Sequence, residues 1–511
     1  MKALSKLILI VFVVCGFSAC HENRFNPNKD LTLDEYSSLV NDAFAFNTAK
    51  INESIGRMCR ADRDTFEFDV QTRQHYLGTE KLLWVSRMGL TPQADTLISY
   101  ISRVGEIGFS TKRFRLDDIE RDANTLRNLD FDKTNDINTV AARLDYNLTK
   151  AFLAYYVGQR YGFVKPRKEF NHLLLDANDT LKTTYRQLYD LPTESLDKEG
   201  YQHLLEKIAQ DSVPDLLRNA EPQGPFYKKL KSMLPEAEGA QRNRILANME
   251  RCRWRHDDYP HLHDKYVVVN IPSYRLMAVD KDSILTMNVV CGAQKTKTPL
   301  VNSRINLMEL NPRWVMPSSV VKYEIAHHAG DSMYFASRNY VITEKSTGKR
   351  MSPHQVSFSA FRSGAYGVYQ EGGEGNALGR IIFRFPNDFA IYLHDTSSKS
   401  AFGRESRSLS HGCIRVEKPY QLAEFLLEDK DKTTLEKINY SMNVRTRVGE
   451  DGETPEKIDK SKVIHSLRVK PEVPVFITYH TMYLMPDGTM RVYNDVYEYD
   501  QVLTRILNKF R

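Results

Sequence analysis

The sequence predicts an α+β chain of more than one domain, and three observations carry that prediction. From about Thr72 to Arg251 apolar residues recur at three- and four-residue steps, the spacing of helices with one buried face. At Tyr266 the period changes to β-branched and alternating runs, which read as strands. At 511 residues the chain is long enough for two or three separate cores. A mostly α-helical first half is therefore expected ahead of a β-rich second half, with a short helical insertion over 317–363.

The elements follow in order. Helical spacing begins at Leu33 and runs to about Arg60. Ala94, Leu97, Ile98, Ile101 and Val104 make one buried stripe; Leu144, Leu148, Ala151, Phe152, Tyr155 and Tyr156 make a second, ended by Gly162 and Pro166. Leu204-Leu205-Ile208, Leu216-Leu217 and Leu230 with Leu234 mark further helices, punctuated by prolines at 214, 222, 225 and 235. Glu236 to Trp254 is charged and helix-prone, and reads as a bridge between domains. Tyr266–Ile271 and Tyr274–Val279 form a hairpin around Pro272-Ser273. Ile284–Val290 and Arg304–Leu310 read as strands, and Ile381–Phe385 with Phe389–Leu393 as a second hairpin around Pro386-Asn387-Asp388. Ile325-Ala326-His327-His328 and Tyr334-Phe335-Ala336 give the insertion its helical look, and an insertion between strands is a common place for a lid.

Composition narrows the function. Apolar content of 41% and charged content of 27% are ordinary for a globular protein, and the net charge of +6 is spread along the chain, so nucleic acid is not an expected partner. Lys2 and Lys6 precede the apolar run Leu7–Val14, which is too short to span a bilayer. Gly16-Phe17-Ser18-Ala19-Cys20 then resembles a bacterial lipoprotein signal, so that 1–20 is a signal peptide with Cys20 as the lipidated residue. An ordinary secretory cut near Ala19 is the other reading. Residues 21–60 are expected to hold a tether and a first helix, 61–255 the helical domain and 256–511 the β-rich domain. Cys59, Cys252, Cys291 and Cys413 are far apart and form no CxxC pair. An exported compartment permits a Cys59–Cys252 disulfide, which the sequence leaves open.

The chemistry concentrates in Ser410-His411-Gly412-Cys413-Ile414-Arg415, downstream of Tyr392-Leu393-His394-Asp395. A glycine beside a cysteine lets backbone amides approach the sulfur. A returning imidazole from His394 makes a thiolate available near neutrality, the minimum for acyl transfer through a thioester. No metal or other cofactor is needed. His327 and His328 are adjacent, cannot share a helix face, and so do not make a metal pair.

This pattern resembles the L,D-transpeptidases, whose signature is a histidine, a spacer of about fifteen residues and then Ser/Thr-His-Gly-Cys. The resemblance implies Cys413 as nucleophile and His394 as general base and acid. Ser410, His411 and Gly412 would shape the loop and its oxyanion hole, and Arg415 would hold the loop or meet a substrate carboxylate, with Asp395 in support. Where many members carry asparagine, this chain has Val416-Glu417-Lys418-Pro419. Asn311–Pro317, Gly375–Arg380, Leu144–Thr149 and Arg160-Tyr161-Gly162 resemble the large Gram-negative type, which implies an N-terminal helical scaffold domain and a β-sandwich-like catalytic domain with a helical capping insertion. Trp314, Tyr392, Asn376 and Arg380 become pocket candidates, although loop or wall roles suit Trp314, Asn376 and Arg380 equally.

By the same resemblance the donor is a peptidoglycan stem peptide and the product a 3→3 cross-link between diaminopimelate residues, made in the periplasm by a protein held at the outer membrane through its lipid. Cell-wall synthesis proteins are possible partners, and carbapenem-type inhibitors are expected to acylate Cys413. Capture of the same intermediate by water or by a protein amine would instead give an L,D-carboxypeptidase, a cross-link hydrolase or a wall-protein attacher. A non-catalytic wall-binding scaffold, a serine nucleophile at Ser410 and a papain-like peptidase are weaker readings. The papain order has cysteine before histidine, opposite to this chain.

Overall fold

The structure is a computed structural model that describes residue 35 and residues 46–78, 81–86, 88–171, 187–444, 458–485 and 487–511. The expected signal peptide, Cys20 and most of the tether lie outside the described residues. The chain divides into two compact units, Met1–Val157 with Leu196–Glu221 and Gly158–Ser195 with Pro222–Arg511. Residues 158–195 and 222–255, expected with the helical half, thus group with the β-rich part.

The first unit is helical. Its helices include Thr48–Ala61, Glu67–Gly78, Pro92–Ser102, Leu116–Asn128, Lys198–Glu206 and Val213–Ala220; the division falls inside a further helix, Ile137–Tyr161. The expected stripes are its core: Leu97, Ile101, Leu144, Leu148 and Phe152 are fully buried. A short hairpin of β1 (Val85–Ser86) and β2 (Gly89–Leu90) is fastened by a buried carboxylate. Asp145 accepts the amides of Leu83, Trp84 and Val85 at 2.6–3.0 Å and the Tyr76 hydroxyl at 2.5 Å. Four donors offset the cost of taking that group out of water.

The second unit is built on a nine-stranded sheet: β3 (Lys265–Asn270), β4 (Arg275–Asp280), β5 (Ser283–Gly292), β6 (Val301–Leu310), β11 (Ile381–Arg384), β12 (Leu393–His394), β13 (Ser408–Ser410), β14 (Ile414–Val416) and β15 (Ser466–Thr478). The order is β13-β5-β14-β12-β11-β6-β15-β3-β4, and β4 pairs again with β5. The layers of the expected sandwich-like core therefore belong to one continuous sheet that returns on itself. Val267, Val269, Leu276, Ile305, Val475 and Ile477 fill its interior with no exposed surface, each worth about 1.5–3 kcal/mol of burial.

The first expected hairpin is present as β3 and β4. The second is cut short. Only Ile382 and Phe383 pair, with His394 and Leu393. The intervening loop satisfies itself on Asn387, whose amide group donates to Phe385 O and Ile391 O and whose carbonyl accepts from Phe389 N and Ile391 N at 2.8–3.1 Å. Those backbone groups are what a longer ladder would have used.

Two further differences are instructive. Helix Gly239–Arg253, read as a bridge between domains, lies within the second unit and is buried over Ile245–Arg251 and at Arg253. Its charges are neutralised internally: the Arg253 guanidinium donates to Glu250 at 3.2 Å, Gln159 at 2.9 Å and the Tyr227 hydroxyl at 3.3 Å. The insertion has its expected helices, Ser318–Tyr323, Ser332–Ser337 and Phe358–Ser363, and adds a four-stranded sheet. Its strands are β7 (Trp314–Val315), β8 (Tyr340–Glu344), β9 (Arg350–Met351) and β10 (Tyr366–Gln370), in the order β7-β10-β8-β9. Val320, Val321, Ile325, Phe335, Ile342 and Phe361 give it a core of its own.

Candidate active site

The two motifs meet because β12 and β14 lie side by side in parallel, with Leu393 opposite Ile414 and His394 opposite Arg415. Alternation along the strands puts Leu393 and Ile414, both fully buried, on one face. Tyr392, His394, Cys413 and Arg415 take the other. A spacer that leaves the sheet after His394 and re-enters at β13 is what the pairing requires. It contains a short 3-10 turn, Lys399–Gly403, whose Ala401 and Phe402 pack on Val290 of β5.

His394 is 4% exposed. Its Nδ1 faces the Asp395 carbonyl at 2.5 Å, and an Nδ1–H donated there leaves Nε2 with the lone pair. Burial, then the positive charge of Arg415, hold its pKa down at about 4. Burial pushes the Cys413 thiol up, against hydrogen bonds from Tyr392 that favour the thiolate. At neutral pH the resting pair is therefore a thiol and a neutral imidazole. The Tyr392 ring packs edge-on to His394 with centroids 5.8 Å apart, and the Arg384 guanidinium sits 5.3 Å over it.

The loop before the cysteine is clamped. Gly412 has φ of +121°, a conformation open to glycine and strained for other residues. Ser410 Oγ accepts the Gly412 amide at 3.2 Å and donates to Cys413 O at 2.5 Å. Ser410 O accepts from Ala293 N and from Thr296 Oγ1. Thr298 Oγ1 accepts the Gly292 amide and donates to Gly412 O, both at 2.8 Å. Tyr497 closes the set: its hydroxyl accepts from Thr298 N at 3.1 Å and donates to Gly292 O at 2.7 Å. Gly292 is there for room, since a Cβ would stand 2.1 Å from Thr296 O. With the Gly412 amide committed to Ser410, the amides of His411 and Cys413 are the ones that enter no hydrogen bond among the described residues.

The other expected residues are placed as follows. His411 is exposed and pairs through Nε2 with Glu324 of the insertion at 2.8 Å. Arg415 is partly buried beside His394, with its Nε unpartnered among the described residues. Asp395 is buried, accepts the Arg380 amide at 2.8 Å and pairs with Lys399. Asn376 and Arg380 shape the loop that precedes β11: Asn376 donates to Pro312 O and Glu371 O, and Arg380 donates to Asn311 at 2.9 Å. Trp314 belongs to the insertion sheet, edge-on to Tyr340. None of these three has a described contact with Cys413 or His394. A cavity of about 360 Å³ opens beside the cysteine loop, with Lys297, Asp388, Phe389, Ile391, His411 and Gly412 among its walls. Gly292, Thr296, Thr298, Tyr497 and Arg384 were not picked out in the sequence. Only the Thr-Lys-Thr run after a strand offered a signal, and it is a weak one. All four cysteines among the described residues are free thiols.

Comparison with known proteins agrees with this geometry. Residues 264–451 match YkuD, the L,D-transpeptidase catalytic domain, and residues 71–234 match a Scaffold domain. A Haemophilus influenzae protein named "Putative L,D-transpeptidase" is 28% identical over 313 residues, which are 60% of this chain and 59% of that protein. Among solved structures, the L,D-transpeptidase of Mycobacterium smegmatis is 12% identical with a TM-score of 0.19, covering 42% of this chain and 58% of that one. L,D-transpeptidase 1 of Mycobacterium tuberculosis is 12% identical with a TM-score of 0.18, covering 42% and 61%. At those scores the structural likeness adds no weight. Cys413 and His394 fall inside the range matched by the YkuD L,D-transpeptidase catalytic domain, and a scaffold domain ahead of that catalytic domain is the arrangement expected of the large Gram-negative type.

Proposed function

We propose that the protein forms 3→3 cross-links in peptidoglycan through a thioester on Cys413. The parallel pairing of β12 with β14 carries this reading, because it sets His394 and Cys413 on one face beside free amides. As the Cys413 sulfur attacks the carbonyl joining diaminopimelate to terminal D-alanine, its proton passes to His394 Nε2. The oxyanion develops against the amides of His411 and Cys413, with the Tyr392 hydroxyl as a further donor. The C–N bond breaks, His394 returns the proton to the departing D-alanine amine, and a thioester remains. The side-chain amine of a second diaminopimelate then attacks. It loses its proton to His394, and the released sulfur takes that proton back. Each step conserves the proton between two groups that are neutral at rest.

Cys20 would carry the lipid that holds the enzyme at the outer membrane, facing the periplasm, with 256–511 as the catalytic domain and the insertion as its cover. A carbapenem would acylate Cys413 by the same attack. The test is incubation with disaccharide-tetrapeptide, with products read by mass spectrometry beside Cys413→Ala. A dimer lacking one D-alanine supports the reading, whereas tripeptide monomer alone makes the enzyme an L,D-carboxypeptidase. Equal product from the alanine variant would sink the thioester.

A further inference from the structure

On the insertion, two short helices, Ser318–Tyr323 and Phe358–Ser363, bring two rings to one guanidinium. The Arg362 guanidinium carbon lies 5.2 Å over the Tyr323 ring and 5.8 Å over the Phe358 ring. Both rings are large exposed apolar surfaces, at 50% and 45%, and His327 packs against Phe358 with centroids 5.2 Å apart. Contact with ring faces orients an arginine but uses none of its N–H groups.

Among the described residues no carboxylate lies within ion-pair distance of Arg362, nor of Lys322 on the same surface. Lys322 runs to the end of the second helix, its Cε 3.3 Å from where a Cβ of Gly364 would stand. The neighbouring acid, Glu324, is turned to His411. That same contact joins this part of the insertion to the cysteine loop: Tyr323 precedes Glu324, Glu324 pairs with His411, and His411 is two residues before Cys413. An unpaired guanidinium, on the element that touches the cysteine loop through Glu324, is a receptor for an anionic part of whatever reaches that loop.

We infer that Arg362, with Lys322 beside it, binds a free carboxylate of the stem peptide and so aligns the peptide over the cysteine loop. This rests on the substrate reading above and adds the specificity-determining residue. A planar carboxylate can take two parallel N–H bonds from the guanidinium edge, whereas a carboxamide of the same shape loses the charge and one acceptor.

The experiment uses the full chain carrying Cys413→Ala, so that peptide binds without reacting. Calorimetry compares a tetrapeptide whose diaminopimelate carboxylate is free with one in which it is a carboxamide. The free carboxylate should bind about tenfold more tightly. Arg362→Gln should remove that preference by weakening the carboxylate peptide alone, and Arg362→Lys should restore part of it. Equal weakening of both peptides, or no change in either, overturns the inference while leaving the substrate reading standing. Binding of neither peptide to the Cys413→Ala chain overturns the inference and counts against the substrate reading as well. Product formation by the unmodified enzyme tests that reading separately.

Discussion

Backbone and hydroxyl groups hold the loop that carries Cys413, and side-chain surface holds the insertion beside it. Around Gly412, Thr298 and Tyr497 make four hydrogen bonds of 2.7–3.1 Å in buried surroundings, and each bond ties one segment of backbone to another. The insertion packs on its own apolar cluster, and its described side-chain bond to the cysteine loop is one exposed pair, Glu324 with His411. Buried bonds that leave polar groups stranded when broken resist displacement. An exposed ion pair contributes about 0–1 kcal/mol and exchanges readily with water. The same unit thus combines a fixed thiol loop with a neighbour free to change its contacts.

The sharpest way to break this contrast is at the sulfur itself. Cys413→Ala should abolish both cross-linked product and any carbapenem adduct, with the fold intact by circular dichroism. A residual adduct would place the reactive atom elsewhere. Next in size is the clamp. Thr298→Val strands the Gly292 amide and the Gly412 carbonyl and should cost roughly 2–5 kcal/mol in urea unfolding. It should also lower kcat at least tenfold, whereas Thr298→Ser keeps the hydroxyl and should recover most of both. An unaffected kcat in the valine variant would mean that the loop does not need the clamp.

Acid should act through His394. Its pKa is about 4 in the folded protein against an ordinary 6.5. Below pH 6.5 the unfolded chain therefore takes up a proton that the native protein refuses. Stability from this group is full above that pH and falls as pH drops from 6.5 to 4, by about 3 kcal/mol in total. Replacing His394 with asparagine should flatten that part of the stability–pH curve. The acid limb of kcat/KM should likewise lie well below the ordinary histidine value. Smallest is Glu324→Gln, which should move the melting point little and kcat/KM by less than about fivefold. A larger fall would show that the insertion is coupled to the loop more tightly than an exposed pair allows.

Much of this was legible from local pattern. The stripes at Leu97–Ile101 and Leu144–Phe152 gave helices because a helix buries one face at a fixed period. Ser410–Cys413 and His394 stood out because the residue types themselves carry the chemistry. What escaped depends on distance along the chain or on chemistry shared with any surface. The insertion sheet is made of strands of two to five residues, too short for alternation to register. Helix Gly239–Arg253 stood out only as charged and helix-prone, and nothing local says that Glu250 and Arg253 pair indoors. Thr298 and Tyr497 are common residues 199 positions apart, and their meeting under Gly412 is a property of the closed sheet.

That last meeting joins the end of the chain to its reactive motif. Cys413 and His394 are synthesised well before Tyr497, and strand β15 separates them from it in the chain. A chain that has yet to complete this step owns Cys413 and His394 and lacks one member of the clamp on the cysteine loop. A truncated copy ending before residue 497 would carry the whole signature with Thr298 and Gly292 deprived of the tyrosine hydroxyl that joins them.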